Sequence, residues 1–231
     1  MTGDLFDSVA EAQPSREKIA DGAVLLRGFV KPIESGLIES VRAIVAQSPF
    51  RRMTTPGGHL MSVAMTNCGE RGWITDHTGY RYDPIDPRTG APWPAMPLLF
   101  ADLARRAAEQ GGFERFAPDA CLVNRYEPGT RLSLHQDLYG EHVFPLQVAI
   151  LLSEPGRDFT GGEFVLTEQR PRMQSRAEVA PLRQGDGVIF PVHHRPVEGT
   201  RGVYRVNLRH GVSRLRSGRR HTLGIIFHDA E

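Results

Sequence analysis

The first chemical signal in the chain is His135-Gln136-Asp137, at the end of the strand-like segment CLVNRYEPGTRLSL. Residues two apart on a strand share one face, so the imidazole and the carboxylate can reach one ion. Two ligands do not fill a site. Two histidines and one carboxylate on one face of an octahedron leave three positions open, the arrangement in which non-haem Fe(II) handles O₂. His193, His194, His210, His221 and His228 compete to be the third ligand. A cosubstrate anchor separates them, because an iron oxygenase using 2-oxoglutarate needs a cation for the distal carboxylate of that diacid. Arg220 follows His210 by ten residues and Thr222 by twelve, beyond a glycine turn at Gly218. Arg220, Thr222, Gly224 and Ile226 would share one strand face, so Arg220 and Thr222 can grip the same carboxylate. His193 and His194 have Val203 and Tyr204 at that offset, which cannot serve. His221 falls on the opposite face from Arg220 and His228 lies near the terminus, and both read as structural.

These side chains need strands to hold them, and the chain is long enough to build them. Its 231 residues are 40% hydrophobic and 24% charged, values that exclude a disordered chain, a collagen or a coiled coil. From Ser35, Leu37, Ile38, Val41, Ile44 and Val45 recur at helical spacing until Pro49. Leu98–Gln110 predicts a second amphipathic helix, stopped by Gly111-Gly112. Between them, residues 51–97 read as short strands and loops. After residue 117 short apolar segments recur between turn signals: CLVNRY, LQVAILL, GEFVLTE, GVIFPV, GVYRVNL and HTLGIIFH. That grammar predicts an antiparallel barrel or jelly roll. The expected class is therefore α+β, mainly β, in one integrated domain. Residues 1–20 form a flexible lead-in, 21–117 the helices and an α/β segment, and 118–231 the β-core. Gly161-Gly162 and Gln184-Gly185-Asp186-Gly187 read as turns, and Cys68 and Cys121 as small apolar fillers.

Net charge is +1, so bulk charge does not argue for nucleic acid. The kind of base says more, since only Lys18 and Lys31 among 28 basic residues are lysines. The arginines between Arg195 and Arg220 read equally well as a solvated strand face or as an anion-facing rim. No apolar run approaches the ~18 residues of a membrane helix. The acidic opening MTGDLFDSVAEAQ lacks the order of a secretory signal, and two cysteines make no disulfide framework. The expectation is a cytoplasmic protein without membrane contact.

The HxD pair, the distal histidine and the arginine resemble the Fe(II)/2-oxoglutarate dioxygenase superfamily, whose fold is a double-stranded β-helix of the jelly-roll type. Roughly residues 43–137 also look like the bacterial AlkB DNA-repair demethylases. The matching strings are QSPFRRMTTPGG, MSVAMTNCG, GYRYDPIDP, PWPAMP and PDACLVNRYEPGTRLSLHQD. This resemblance implies that His135, Asp137 and His210 bind iron, and that Asn124, Tyr126 and Arg220 hold 2-oxoglutarate. Asn124 and Tyr126 alternate with Val123 and Arg125, so both can face a pocket; a buried hydrogen-bonded pair is the plainer reading. The resemblance further implies an N-terminal nucleotide-recognition lid. Trp73 would stack on the flipped base, with Tyr80 and Thr55 near the nucleic-acid backbone, and Met65 and Leu132 would line the site. Without the resemblance, Trp73 and Tyr80 would read as core aromatics.

After Asp137 the pattern departs. AlkB proteins carry an acidic loop there and end on an Arg-x-Asn-x-x-x-Arg strand, where this chain has Leu138-Tyr139-Gly140 and Arg220-x-Thr222-x-x-x-Ile226. Residues 135–229 look more like another bacterial group of the superfamily, one assigned to nucleic-acid modification, with a cosubstrate strand resembling that of prolyl hydroxylases. The chain reads as a mosaic joined at the shared His-Gln-Asp. The expected function is oxidative demethylation of 1-methyladenine and 3-methylcytosine in single-stranded DNA, with RNA a second candidate, by a monomer using Fe(II), 2-oxoglutarate and O₂. Two alternatives stay open: a hydroxylase of protein side chains or small molecules, and a non-catalytic nucleic-acid-binding module. Mutating His135 separates the last, since a pure binder would lose little.

Overall fold

The apolar segments after residue 117 pair into two antiparallel sheets in the computed structural model, which describes residues 14–111, 117–139, 142–143, 146–170, 172–200 and 202–228. The strands used below are β1 (Ser15–Ala20), β2 (Ala23–Arg27), β3 (Ala64–Gly69), β4 (Gly72–Asp76), β5 (Gly79–Asp83), β6 (Ala117–Tyr126) and β7 (Leu132–His135). They continue with β8 (Leu146–Leu151), β9 (Phe164–Gln169), β10 (Arg176–Ala180), β11 (Gly187–Pro191), β12 (His194–Gly199), β13 (Gly202–Val212) and β14 (Arg220–His228). The helices are α1 (Glu34–Gln47) and α2 (Leu98–Gly111), at the positions that the apolar spacing predicts.

The larger sheet has seven strands in the order β1-β2-β11-β8-β14-β6-β3. The smaller sheet runs β10-β9-β13-β12, with β7 also pairing β13. Its relation to the larger sheet is set by alternation. On β8, Leu146, Val148 and Ile150 join a cluster with Leu37, Phe100 and Leu103 of the helices, while Leu151 joins one with Phe164, Leu166 and Val212 of the smaller sheet. Both faces of the larger sheet are thus covered, which explains why LQVAILL and HTLGIIFH are almost continuously apolar. Each cluster draws residues from both sides of position 117. The class is mainly β, with the two sheets of a jelly roll. Among the described residues no helix is long and apolar enough to cross a membrane.

One expectation is corrected. Ser15–Ala20, read as part of a flexible lead-in, forms the edge strand β1 paired with β2 from Ser15↔Arg27 to Ala20↔Ala23; residues 1–13 lie outside the described residues. Four of the six β1 residues are exposed. Backbone pairing rather than apolar burial holds such a strand, so no hydrophobic pattern marks it. The arginines of β13 turn outward. Arg205 and Arg209 are exposed and alternate with buried Val206, Leu208 and His210, so they point away from His210.

Candidate metal centre and active-site cavity

Strand pairing brings the two histidines together. His135 at the end of β7 is the register partner of His210 on β13, and their ring centroids lie 4.3 Å apart. Asp137, two residues beyond His135, places Oδ1 3.2 Å from His135 Nε2 and Oδ2 3.4 Å from His210 Nε2. The three donor atoms all lie within 4.8 Å of one another. Among the described residues this is the one cluster of histidine, cysteine or acidic side chains that close.

The protonation states suit metal binding. His135 Nδ1 donates to the Ser133 carbonyl at 2.8 Å, which turns Nε2 toward Asp137. Burial alone would raise the Asp137 carboxyl, but the pull of His210 and hydrogen bonds from His135 and Gln147 hold its pKa at about 2. Burial pushes His210 down to about 4, with His135 adding to the effect against the opposing Asp137, so its imidazole is neutral at neutral pH. Burial also opposes charge on His135, yet the Asp137 hydrogen bond and charge raise its pKa. Phe190 and Phe164 stand 4.8 and 6.3 Å from the His210 ring, an apolar wall that keeps water from that side. Two histidines and one carboxylate fit Fe(II), with the metal taking the place of the proton that the His135–Asp137 pair favours, and the side of the cluster facing the cavity leaves room for further ligands.

That cavity, of about 550 Å³, joins the triad to the expected substrate residues. Thr55, Met65, Trp73, Tyr80 and Leu132 line it together with Asn124, Tyr126, His135, Asp137 and His210. Trp73 is buried, and its ring stacks on that of Tyr80 with centroids 5.8 Å apart and planes 28° from parallel. Tyr80 is 44% exposed, so the pair runs from interior to rim, unlike two core aromatics.

Arg220 and Thr222 take a different place. Ile226 and Gly224 of β14 line the cavity, and Thr222 and Arg220 extend the same row beyond it, opposite Asn124 and Tyr126 of β6. Arg220 is 1% exposed, and its guanidinium lies 5.0 Å from the Tyr126 ring and 5.9 Å from that of Phe159. Its Nε and Nη1 find no hydrogen-bond partner among the described residues, and neither does Asn124 Oδ1. Burial lowers the Arg220 pKa and outweighs the opposing pull of Tyr126 and of the Glu163 charge, the mark of a cation held in a dry setting. A buried guanidinium with open donors fits the distal carboxylate of 2-oxoglutarate. Gly162, at φ +69°, makes the space: a Cβ there would come within 3.0 Å of Arg220 Cδ and 2.9 Å of Leu215.

Of the competing histidines, His193 and His221 are not in the cluster. His221 faces away from the Arg220 row, its amide donating to Ser153 Oγ at 2.9 Å. The carbonyl of His193 accepts a bond from Gln136 at 2.7 Å. The side chains of His194 and His228 lie outside the described residues, as does Gly140 of the expected loop after Asp137.

Gln147 is a residue that the sequence reading missed. Its amide donates to Asp137 Oδ2, and its side chain lines the cavity. A lone polar residue between Leu146 and Val148, on the strand face turned to the interior, is the signal that could have found it. Met61 lines the same cavity on a loop without periodicity, where no such signal exists.

Comparison with known proteins agrees with this geometry. AlkB of Escherichia coli K12, an alpha-ketoglutarate-dependent dioxygenase, is 55% identical over 133 residues, 58% of this chain and 62% of that one. The uncharacterized protein Rv2227 of Mycobacterium tuberculosis is 54% identical over 109 residues, 47% of each chain. The chain therefore spans less than two thirds of the length of either relative. The structure reported as OsALKBH1 superposes with a TM-score of 0.65 at 22% identity, covering 93% of this chain and 99% of that one, which shows the fold. Residues 92–230 match the family Oxygenase-NA, described as an oxygenase catalysing oxidative methylation of damaged DNA. That span contains the whole metal triad and Arg220 and more than half of the chain, which accordingly belongs to the Oxygenase-NA family.

Proposed function

We propose that this chain is an Fe(II)/2-oxoglutarate-dependent oxidative demethylase of N-alkylated bases, 1-methyladenine and 3-methylcytosine among them, in single-stranded DNA. One observation carries the reading: a single cavity has a two-histidine, one-carboxylate cluster among its lining residues and an aromatic pair reaching its rim. The AlkB relatives, named as alpha-ketoglutarate-dependent dioxygenases, and the family description support the same chemistry.

His135, Asp137 and His210 would hold Fe(II) through Nε2, a carboxylate oxygen and Nε2. Arg220 would pair with the distal carboxylate of 2-oxoglutarate, with Thr222, Tyr126 and Asn124 completing its polar surroundings. When bound, the iron and cosubstrate supply O₂ activation coupled to decarboxylation of 2-oxoglutarate to succinate and CO₂, and a hydroxylated N-methyl group then leaves as formaldehyde. Trp73 would hold the extruded base by stacking, a contact worth about 1–3 kcal/mol per base. Met65 and Leu132 would close the apolar sides of the cavity, and Tyr80 and Thr55, nearer its opening, would meet the strand that carries the base. The segment bearing Thr55, Met65, Trp73 and Tyr80 would act as the nucleotide-recognition lid. A duplex must give up a stacked base to reach such a cavity, at a few kcal/mol, so a single strand is the better substrate. We further propose that the protein acts as a monomer, since one chain contributes every residue invoked.

The test is turnover on a single-stranded oligonucleotide carrying 1-methyladenine or 3-methylcytosine, with Fe(II), 2-oxoglutarate, ascorbate and O₂. Methyl loss matched one-to-one by succinate is the expected result. Succinate without methyl loss would replace this reading with a hydroxylase of another substrate. Oligonucleotide binding without either product would mean a binding module.

A further inference from the structure

Trp73 must keep its ring in one place if it is to stack a base, and the hairpin that carries it belongs to neither large sheet. Strands β4 and β5 form a separate two-stranded unit, while β3 is the last strand of the larger sheet, and no backbone ladder joins β4 to it. One side chain bridges that gap. Asn67 of β3 is fully buried; its Oδ1 accepts the Trp73 N–H at 3.2 Å and its Nδ2 donates to the Trp73 carbonyl at 3.1 Å. A carboxamide bonded to both polar groups of one residue reproduces a rung of β-ladder between strands that do not pair. Asn67 lies two residues beyond Met65, one strand step along the face that lines the cavity, but is not itself a lining residue. Gly72 supplies the second constraint: a Cβ there would stand 2.3 Å from Trp93 Cε2, so the backbone entering Trp73 is seated directly against that indole.

We propose that Asn67 is a positioning residue for base recognition: its carboxamide ties the Trp73 backbone to the larger sheet and so sets where the stacking surface stands relative to the metal triad. This rests on the reading of Trp73 as the base-stacking residue. The alternative is a buried asparagine that only satisfies its own hydrogen bonds, and the two differ in what its loss changes. Without the carboxamide, the ring samples orientations in which a base cannot stack, while the triad and Arg220, on other strands, keep their geometry.

The experiment uses the full chain and its Asn67→Ala variant. The KM for a 1-methyladenine oligonucleotide should rise about tenfold, a loss within the range of one stacking contact, with the KM for 2-oxoglutarate and the substrate-free formation of succinate within about twofold of wild type. Acrylamide quenching of tryptophan fluorescence, which reports Trp73 and Trp93, should increase in the variant. An unchanged oligonucleotide KM overturns the proposal, and so does an equal loss in both KM values and substrate-free turnover, which marks a general packing defect. Should Asn67→Ala not fold, amide exchange in the wild-type protein decides: the Trp73 amide is expected to be protected like those of the larger sheet, and exchange at the rate of an open strand edge overturns the proposal. If wild type removes no methyl group, the functional reading fails, whereas quenching and amide exchange still test whether Asn67 holds Trp73.

Discussion

The two ends of the cavity are built by different means. At the metal end, His135 and His210 face each other across a backbone ladder, and Asp137 is fixed by bonds to His135 and Gln147. At the substrate end, Trp73 and Tyr80 ride on a two-stranded hairpin outside both large sheets. Ladder bonds on neighbouring strands fix ligand positions within the tolerance that a metal demands, whereas the hairpin takes its place from side-chain contacts such as those of Asn67 with Trp73. The lesson is a division of labour: chemistry sits where backbone register sets geometry, and recognition sits where side chains do.

Breaking the metal end should cost most. Asp137→Ala is expected to abolish both Fe(II) binding, followed by Co(II) absorbance as a surrogate, and succinate formation. Retained turnover in that variant would mean that the metal lies elsewhere. Next in size, Arg220→Met should raise the KM for 2-oxoglutarate by roughly 100-fold, the scale for truncating a buried charge partner. Because Arg220 holds a desolvated charge with open donors, the same variant should leave the thermal midpoint of the apo-protein unchanged or raise it. A lower midpoint would show the guanidinium to be structural.

Gln147→Leu should release one Asp137 oxygen and weaken metal affinity by about 10–100-fold, as loss of an outer hydrogen-bond partner does. The protein should otherwise fold normally, and titration with Co(II) measures the effect. The smallest expected change belongs to the hairpin. Trp73→Ala should cut kcat/KM on methylated oligonucleotides by roughly tenfold, within the range of one lost stacking contact, while substrate-free 2-oxoglutarate turnover persists. Equal loss of both would erase the contrast between the two ends.

Much of the metal end was legible along the chain because strands alternate with period two. His-x-Asp places two ligands on one face, and the spacing from His210 to Arg220 and Thr222 places a cation and a hydroxyl on another, without knowledge of the turns between. The helices were legible from apolar spacing because their 3.6-residue period is an equally local property. The strand β1 was not, since an exposed edge held by backbone bonds has no side-chain period. Gln147 showed only as an interruption in an apolar run, because its meaning depends on Asp137 standing opposite.

By itself, then, the sequence determined which residue types are present and which of them share a strand face, and that singled out His135, Asp137 and His210 as candidate ligands and Arg220 as a candidate cosubstrate anchor. Only the tertiary structure decided that β7 pairs with β13 so that His135 meets His210, that Arg220 lies buried beyond the cavity, and that Asn67 reaches the backbone of Trp73. The reason is physical: alternation is a local property of the backbone. Register between strands separated by about 75 residues, from 135 to 210, is set by the combined packing of two sheets and appears nowhere in the spacing along either strand.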